Sequence, residues 1–373
     1  MAITLPGVTV NVSTANPVPG APTATGRVFV AYANAAVLTP SQGNVFIAKK
    51  GADAIAAGAP SDVGDVIDVL LALGAPDVVI TNTTAVSYTA PTSTEWGVGL
   101  ANFTADLGPG RVLIFHSASA SSNAYTALLT FVQSSNHTAY LDGGIGGTGA
   151  SALNAATVAS TAAGLAANAG AKYAGMFVPG VNVPRSSGST SPMPASVIAA
   201  GVAAGLDAKV GNAGRKPEWS FGVIGSALSV AQVFSDADVS TLTTGAVNVV
   251  RPITQLGSVV ALNSYNSLAA TDVIMVAFER ANFVMQVKAG LMARGAFYIG
   301  RPKDAKGSLF TEVLTALNGY LTPFSGPNQP LSKFTLQCDF NNNTLTDNAL
   351  NINVGLWFAG VAEAVTFNLA LSI

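Results

Sequence analysis

From Gly26 onward the sequence predicts an α/β fold, followed after about residue 235 by an α+β region with antiparallel strands. Two patterns carry this prediction. In the first part, short apolar runs alternate with helix-compatible segments, which favours parallel strands joined by right-handed crossovers. Near the C-terminus, apolar and polar residues alternate with period two, as in half-buried antiparallel strands. A chain of 373 residues with 49% hydrophobic residues can build two or three domains with their own cores.

Residues 1–25 are predicted to form an extended N-terminal arm and linker. Val8, Val10 and Val12 alternate with polar residues, which indicates a short strand. Three prolines and a glycine follow within residues 17–22, which is typical of an extended linker. The alternative is an ordinary first strand and loop.

The α/β part contains five strand-like runs and two clear helical segments. The strands are predicted at residues 27–32, 77–81, 111–116, 138–142 and 173–178, and the helices at about 124–134 and 152–167. Because helices of this length lie between successive strands, we expect the strands to pair in parallel.

Two amphipathic helices are predicted after residue 235. The first spans 271–294, and Ser308 is placed to cap the second, which ends before Pro323. The apolar face of the first helix is Ile274, Phe278, Ala281, Met285 and Met292; that of the second is Phe310, Val313, Leu314, Leu317 and Leu321.

The last forty residues predict three alternating strands. Their apolar positions are Phe334, Leu336, Cys338 and Phe340 in the first, Leu350, Ile352, Val354, Leu356 and Phe358 in the second, and Val365, Phe367, Leu369, Leu371 and Ile373 in the last. An apolar strand at a chain end needs a sheet to receive it, because an unpaired edge is prone to associate. That sheet can belong to the same chain or to a neighbouring copy.

The composition excludes several classes of function. Charged residues are only 10% of the chain, so either small polar residues cover the surface or neighbouring subunits bury it. A net charge of −2 argues against a nucleic-acid partner. The single cysteine, Cys338, cannot form an internal disulfide, which fits a reducing compartment. We expect neither a signal peptide nor a membrane-spanning helix.

No motif predicts a catalytic, cofactor or metal site. The glycine loop at 142–149 follows a strand and precedes a helix, as phosphate-binding loops do, but it lacks the lysine of a P-loop and a ribose-binding acid downstream. A Ser-His-Asp triad would have to use His137 and Asp142, yet no serine lies in a nucleophile elbow. Besides His137, the chain has only His116 as an imidazole ligand for a metal. We interpret the loop as a tight turn and Cys338 as a core residue.

Several segments, in order along the whole chain, resemble the sheath proteins of contractile phage tails and phage-tail-like injection systems. The opening Leu-Pro-Gly-Val-Thr-Val at 5–10 is similar to the start of that family, and Gly-Ala-Pro-Asp-Val-Val-Ile at 74–80 to the end of its N-terminal region. Residues 191–207 resemble its proline- and alanine-rich stretch, and Gly-Ala-Val-Asn-Val-Val-Arg at 245–251 is the most specific local match. The sequence departs from the family pattern at 263–268, 278–281 and 298–302.

The resemblance implies a fold and a domain division. The N-terminal arm at 1–25 would precede an N-terminal sheath region at 26–95. A subtilisin-like α/β middle domain without protease activity would span 96–235. A C-terminal α+β assembly domain would span 236–373 and end in an inter-subunit strand. The residues that would join neighbouring subunits are Val8, Val10, Val12, Val365, Phe367, Leu369, Leu371 and Ile373.

The resemblance also implies a mechanical and not an enzymatic function. Subunits would polymerise as stacked hexameric rings around a tail tube and contract to drive the tube through a host cell envelope. The partners would be copies of the same chain, the tube protein, and baseplate and tail terminator proteins, with no cofactor. The subunit would be assembled in the bacterial cytoplasm and carried in the virion. Two alternatives stay open: an α/β nucleotide-binding enzyme using the loop at 142–149, and a shell or surface-layer subunit.

Overall fold

The structure of the chain is a computed structural model. It describes residues 26–358, with gaps at 35–44, 84–87, 105–106, 186–187, 189, 211–228, 254–258, 263–264, 270, 273–274, 276, 299–300, 302–307, 327–328 and 338–351.

Strands and helices alternate along most of the described chain. The strands are β1 (Val28–Ala33), β2 (Val45–Ala48), β3 (Val78–Thr83), β4 (Gly110–Ile114), β5 (His137–Asp142), β6 (Ala174–Val178), β7 (Val181–Pro184), β8 (Thr190–Met193), β9 (Ser229–Val230), β10 (Val247–Ile253), β11 (Val259–Leu262), β12 (Leu331–Gln337) and β13 (Asn353–Phe358). The helices are α1 (Gly51–Ala56), α2 (Ser61–Ala72), α3 (Ser93–Leu100), α4 (Ser122–Ser134), α5 (Ala155–Leu165), α6 (Ala195–Val210), α7 (Asp236–Thr244), α8 (Phe278–Ala296) and α9 (Ser308–Leu321).

A large mixed sheet organises the fold. Its eight strands lie in the order β11-β10-β6-β5-β4-β1-β3-β2. The pairs from β10 to β3 are all parallel, and each edge is closed by an antiparallel strand, β11 at one side and β2 at the other. The prediction of a parallel α/β sheet is therefore confirmed, and the whole sheet is mixed.

The large sheet is buried on both faces. Because side chains alternate along each strand, successive side chains of a strand contribute to different cores. In β1, Val28, Val30 and Tyr32 join a core with α2, α6 and the start of α8. Phe29 and Ala31 point to the other face, where α3, α4, α5 and α7 form a second core. Strands that are apolar at every position are what a doubly covered sheet requires, and β1 is buried at all six positions.

Capping side chains fix the starts of the helices on the second face. Two of these starts are capping boxes, Thr92 with Glu95 before α3 and Ser235 with Asp238 before α7. Ser121 accepts a hydrogen bond from a backbone amide at the start of α4. Each such cap contributes about 1 kcal/mol to helix stability.

The five predicted strands of the α/β part correspond to β1, β3, β4, β5 and β6, with ends that differ by at most two residues. The predicted helices correspond to α4 and α5. The helix predicted from residue 271 begins only at Phe278, because Ala277 pairs with an earlier segment of the chain in β-type geometry. Asn266 and Ala277 form an antiparallel bridge, and the Phe278 amide donates to the carbonyl of Tyr265.

The third core lies beyond the large sheet and contains α9, residues of α8 from Phe283 onward and the hairpin β12–β13. Phe283, Val287 and Leu291 of α8 pack there against α9 and Leu331. The predicted antiparallel pairing is present, with Phe334 opposite Leu356. On α9, which begins at Ser308, the predicted apolar face is buried except for Leu314, which is half-buried.

The large sheet takes strands from each of the segments 26–95, 96–235 and 236–373, so these three segments share one sheet. The division of the chain into domains at those boundaries stays a prediction. Within the described ranges, no helix is both long and apolar enough to span a lipid bilayer.

Candidate functional site

The eight residues predicted to link neighbouring subunits lie outside the described part of the chain. They are Val8, Val10, Val12, Val365, Phe367, Leu369, Leu371 and Ile373. Cys338 also lies outside it. The predicted strand arms therefore stay predictions. The described residues show only the surfaces to which such arms could bind.

The glycine loop at 142–149 begins at a buried carboxylate. Asp142 Oδ1 accepts a hydrogen bond from the Gly144 amide at 2.9 Å, and Oδ2 accepts one from the Ser119 hydroxyl at 2.6 Å. The Tyr125 hydroxyl donates to the Asp142 backbone carbonyl at 2.7 Å. Burial raises the pKa of Asp142, while the two hydrogen bonds to its oxygens oppose that rise. The Asp142 side chain thus stabilises the start of the loop through these hydrogen bonds.

The far side of the loop is held by Gln232. Its Oε1 accepts hydrogen bonds from the amides of Leu153 at 2.7 Å and Gly147 at 3.4 Å, and its Nε2 donates to the Leu153 carbonyl at 3.0 Å. A Cβ at Gly146, whose φ is +76°, would lie 2.7 Å from Gln232 Oε1. Two amides of the loop, those of Gly144 and Gly147, are therefore bonded to side chains of the protein and not turned to a phosphate. This geometry is that of a structural turn.

The two residues proposed for a catalytic triad cannot meet. His137 is the first residue of β5 and Asp142 the last, so their Cα atoms are about 17 Å apart along an extended strand. His137 is buried between the rings of Phe29 and Phe131, with centroid distances of 4.6 and 5.1 Å. Burial lowers the pKa of its imidazole to about 3. The ring is a neutral core group, and it lies too far from Asp142 for that carboxylate to orient it as the general base of a serine nucleophile.

The second histidine lies at the opposite end of the parallel strands β4 and β5 from His137. His116 follows β4, and its ring packs edge-on against Trp96 with centroids 5.6 Å apart. Its Nδ1 accepts a hydrogen bond from the Ala118 amide at 3.0 Å. Burial lowers the pKa of His116, against smaller opposing effects of a backbone hydrogen bond and a distant carboxylate. In the described residues no three His, Cys, Asp or Glu side chains come together as metal ligands.

The hairpin β12–β13 forms a separate two-stranded sheet. Its two strands pair with each other and with no other named strand of the described chain. The apolar face that packs on the third core is only half-buried at Phe334, Leu336, Val354, Leu356 and Phe358. Side chains that remain half-exposed on an apolar sheet face can bury more area when another strand extends the sheet.

The outer face of the hairpin carries an aromatic residue that the sequence prediction did not single out. Trp357 is 43% exposed, and the Lys333 ammonium lies 4.5 Å from the centroid of its ring. The alternation of apolar and polar residues places Trp357 on the outer face. It does not show that Lys333 packs on the ring. Large exposed aromatic residues are enriched where protein surfaces meet.

Comparison with known proteins identifies the fold. No family model and no curated protein sequence matches the chain. The sheath complex of an extracellular contractile injection system, PVC, in the contracted state has a TM-score of 0.69 at 13% identity, covering 100% of this chain and 99% of that one. The contracted helical sheath of the anti-feeding prophage has a TM-score of 0.61 at 14% identity, covering 100% of both chains. A sheath tail protein from Desulfitobacterium hafniense has a TM-score of 0.55 at 7% identity, covering 95% of this chain and 100% of that one.

Proposed function

We propose that this chain, which has the fold of contractile sheath proteins, is itself a sheath subunit. It polymerises as stacked hexameric rings around a tail tube and contracts to drive the tube through a host cell envelope. The observation that carries the proposal is the match to sheath subunits of contracted assemblies over 99–100% of both chains. A match confined to the α/β sheet would leave many functions open, because one α/β architecture hosts many activities.

The composition of the chain suits a subunit whose surface is buried by its neighbours. Only 10% of the residues are charged, and residues 1–26 and 364–373 contain no Asp, Glu, Lys or Arg. A charge-free segment loses little solvation energy when it becomes a strand inside another subunit's sheet. Both ends of the chain therefore have the chemistry of strands that are donated.

The hairpin β12–β13 is the sheet that we expect to receive those strands. Its apolar face is half-buried and its outer edges pair with no named strand within the described residues. Strand addition would provide main-chain hydrogen bonds that do not depend on side-chain identity. Such links would hold subunits together while the remaining contacts between them exchange during contraction.

The proposed partners are neighbouring copies of the chain, a tail tube protein, and baseplate and terminator proteins, and the proposed location is the tail of a virion or related particle. One similar structure belongs to the baseplate of the anti-feeding prophage, at 12% identity and a TM-score of 0.66. The finer assignments, a subtilisin-like middle domain without protease activity and the boundaries 1–25, 26–95, 96–235 and 236–373, belong to this proposal. No enzymatic step is part of it.

Electron microscopy of the purified, concentrated protein tests the assembly. We expect tubes with sixfold symmetry and no requirement for a cofactor. Flat sheets or closed shells would favour the surface-layer alternative, and a strictly monomeric protein across salt and crowding conditions would contradict the proposal. A nucleotide that binds at micromolar concentration, with binding lost in Gly146→Ala, would favour the enzyme alternative.

Deletion of residues 366–373 tests the donated strand. Burying each of its apolar side chains is worth roughly 1.5–3 kcal/mol, less the cost of ordering the strand. We expect a folded, soluble subunit that no longer forms tubes. Circular dichroism and size-exclusion chromatography distinguish this from a strand that pairs within its own subunit, whose loss would unfold or aggregate the C-terminal part. A folded truncation that assembles normally would refute strand donation.

A further inference from the structure

A buried polar cluster joins α8 to the large sheet. Asn282 of α8 accepts a hydrogen bond from the Thr138 hydroxyl of β5, with 2.7 Å between Oγ1 and Oδ1. Its Nδ2 lies 3.1 Å from the Tyr265 hydroxyl and 3.4 Å from the Tyr140 hydroxyl, and these two hydroxyls are 2.6 Å apart. The carbonyl of Phe278 is a further acceptor at 3.3 Å. The amide group of Asn282 therefore uses both its donor and its acceptor inside the protein.

Aromatic rings enclose this cluster. Tyr140 stacks on Phe177 with centroids 5.3 Å apart, and Phe278 packs against Tyr140 and Tyr265 at 5.1 and 5.2 Å. A Cβ on Gly175 of β6 would lie 3.1 Å from the Phe278 ring, so the helix rests closely on the strand. Polar groups in such a dry environment interact strongly and tolerate few alternative arrangements. The cluster therefore specifies one position of α8 on the sheet.

The first turn of α8 and the part of the helix from Phe283 onward contribute to different cores. Phe278 and Ala281 pack in the core of the large sheet, whereas Val287 and Leu291 pack in the third core with α9 and the hairpin. Asn282 lies at the junction, about 14 Å along the helix from Leu291. Because α8 is shared in this way, the opening of the third core depends on how firmly the first turn of α8 is held on the sheet.

We propose that Asn282 is a positioning residue that couples the third core to the large sheet, so that both open as one cooperative body. In wild-type protein the hairpin then cannot shift on the sheet without breaking the buried cluster. The coupling is a property of the isolated chain. Only its mechanical use, keeping the hairpin and sheet in fixed relation while subunits rearrange, rests on the proposed sheath function.

Hydrogen–deuterium exchange of the full-length, unassembled protein tests the coupling. The variants are Asn282→Leu, which removes the amide, and Thr138→Val, which removes the partner hydroxyl from β5 at constant shape. We expect exchange in residues 308–337 and 352–358 to rise at least tenfold in either variant, with exchange in β4 and β6 unchanged. The double variant should be little worse than the stronger single one, because the two residues share one interaction. Asn318→Leu, at an exposed position of α9, is the matched control and should leave exchange unchanged.

The Thr138→Val result separates coupling from a local effect of Asn282, since the substitution lies in the sheet and the response is read in the hairpin. An increase confined to the neighbourhood of residues 138 and 282, or spread evenly over the chain, would overturn the proposal. So would a wild-type hairpin that already exchanges independently of the sheet. If Asn282→Leu does not fold, Thr138→Val alone decides. Tube formation is read separately by microscopy, so a failure of the sheath proposal leaves this measurement intact.

Discussion

The buried histidine makes the stability of the subunit depend on pH. His137 has a pKa of about 3 in the folded chain because burial disfavours its charged form, against 6.5 for an exposed imidazole. Between these values the unfolded chain binds a proton that the folded chain does not. Stability is therefore lost as the pH falls below 6.5, and the loss ends only near the folded pKa.

The size of this effect follows from the linkage relation. At pH 5 an exposed imidazole is almost fully protonated, which stabilises the unfolded chain by about 2 kcal/mol. Neither ring nitrogen of His137 has a hydrogen-bond partner among the described residues, so replacing the ring by an aliphatic side chain leaves no acceptor or donor stranded. His137→Leu should therefore match or exceed wild-type stability at pH 7.5 and lose about 2 kcal/mol less between pH 7.5 and pH 5.

Denaturant unfolding of the unassembled protein at the two pH values measures this difference. His116→Leu is the control: its ring is less deeply buried, and it should alter the pH dependence less than His137→Leu does. The comparison of variant with wild type removes the contribution of other titrating groups, such as Asp142, whose raised pKa acts in the opposite direction. Parallel pH dependences for wild type and His137→Leu would refute the assignment of His137 as a neutral core residue.

Three further predictions concern stability, each read as the midpoint of thermal or denaturant unfolding. Gly164→Ala, in an open position of α5, should stabilise by up to about 1 kcal/mol, whereas Gly170→Ala should destabilise by at least that amount because its Cβ would overlap the carbonyl oxygen of Leu129; equal effects would contradict the described backbone. Gln232→Ala should cost roughly 1–3 kcal/mol by leaving amides of the glycine loop unbonded, and a neutral result would show that the loop is held by other contacts. Asp77→Asn should lower the free energy of unfolding by about 1.5–3 kcal/mol at pH 7, because it weakens the bidentate ion pair with Arg27. Burial alone would raise the pKa of Asp77, but its cationic partners lower it, so this cost should shrink as the pH falls below about 3.8, and a pH-independent difference would contradict the ion pair.

The sequence predicted the central strands well because each contains a short run of mostly apolar residues, and because helical segments were recognisable after β4 and β5. β1, β5 and β6 are buried at every position, and an apolar run was a sufficient signal for β1 and β6, whereas β5 also holds His137, Thr138 and Asp142. The antiparallel strands β12 and β13 were predicted from the alternation of apolar with mostly polar residues, and this alternation is present because one face of the pair remains exposed. In each case the local pattern and the tertiary environment agree.

The missed features depend on contacts between residues far apart in sequence. The edge strands β2 and β11 are four residues long, too short for a pattern to emerge. The start of α8 was predicted seven residues early because residues 271–277 share the apolar period of the helix, whereas the bridge at Ala277 sets the boundary. Nothing in the sequence indicated that Asn282 would meet Thr138, which is 144 residues away. The glycine loop was predicted to be a structural turn because the lysine of a P-loop and a ribose-binding acid are missing from the sequence. No sequence pattern indicated that Gln232 would hydrogen-bond to this loop.

The position of β1 has a consequence for how tension would pass into the molecule. Residues 1–25 join the fold at Arg27, immediately before a strand that is bonded on both sides, to β3 at six positions and to β4 at four. Arg27 is itself fastened to Asp77 and to the carbonyl of Leu107. A pull directed along β1 must shear both rows of hydrogen bonds at once, whereas a strand at an edge could be peeled away one bond at a time. The proposed N-terminal arm would therefore be anchored at an interior strand, whose extraction requires the pairing with β3 and with β4 to break together.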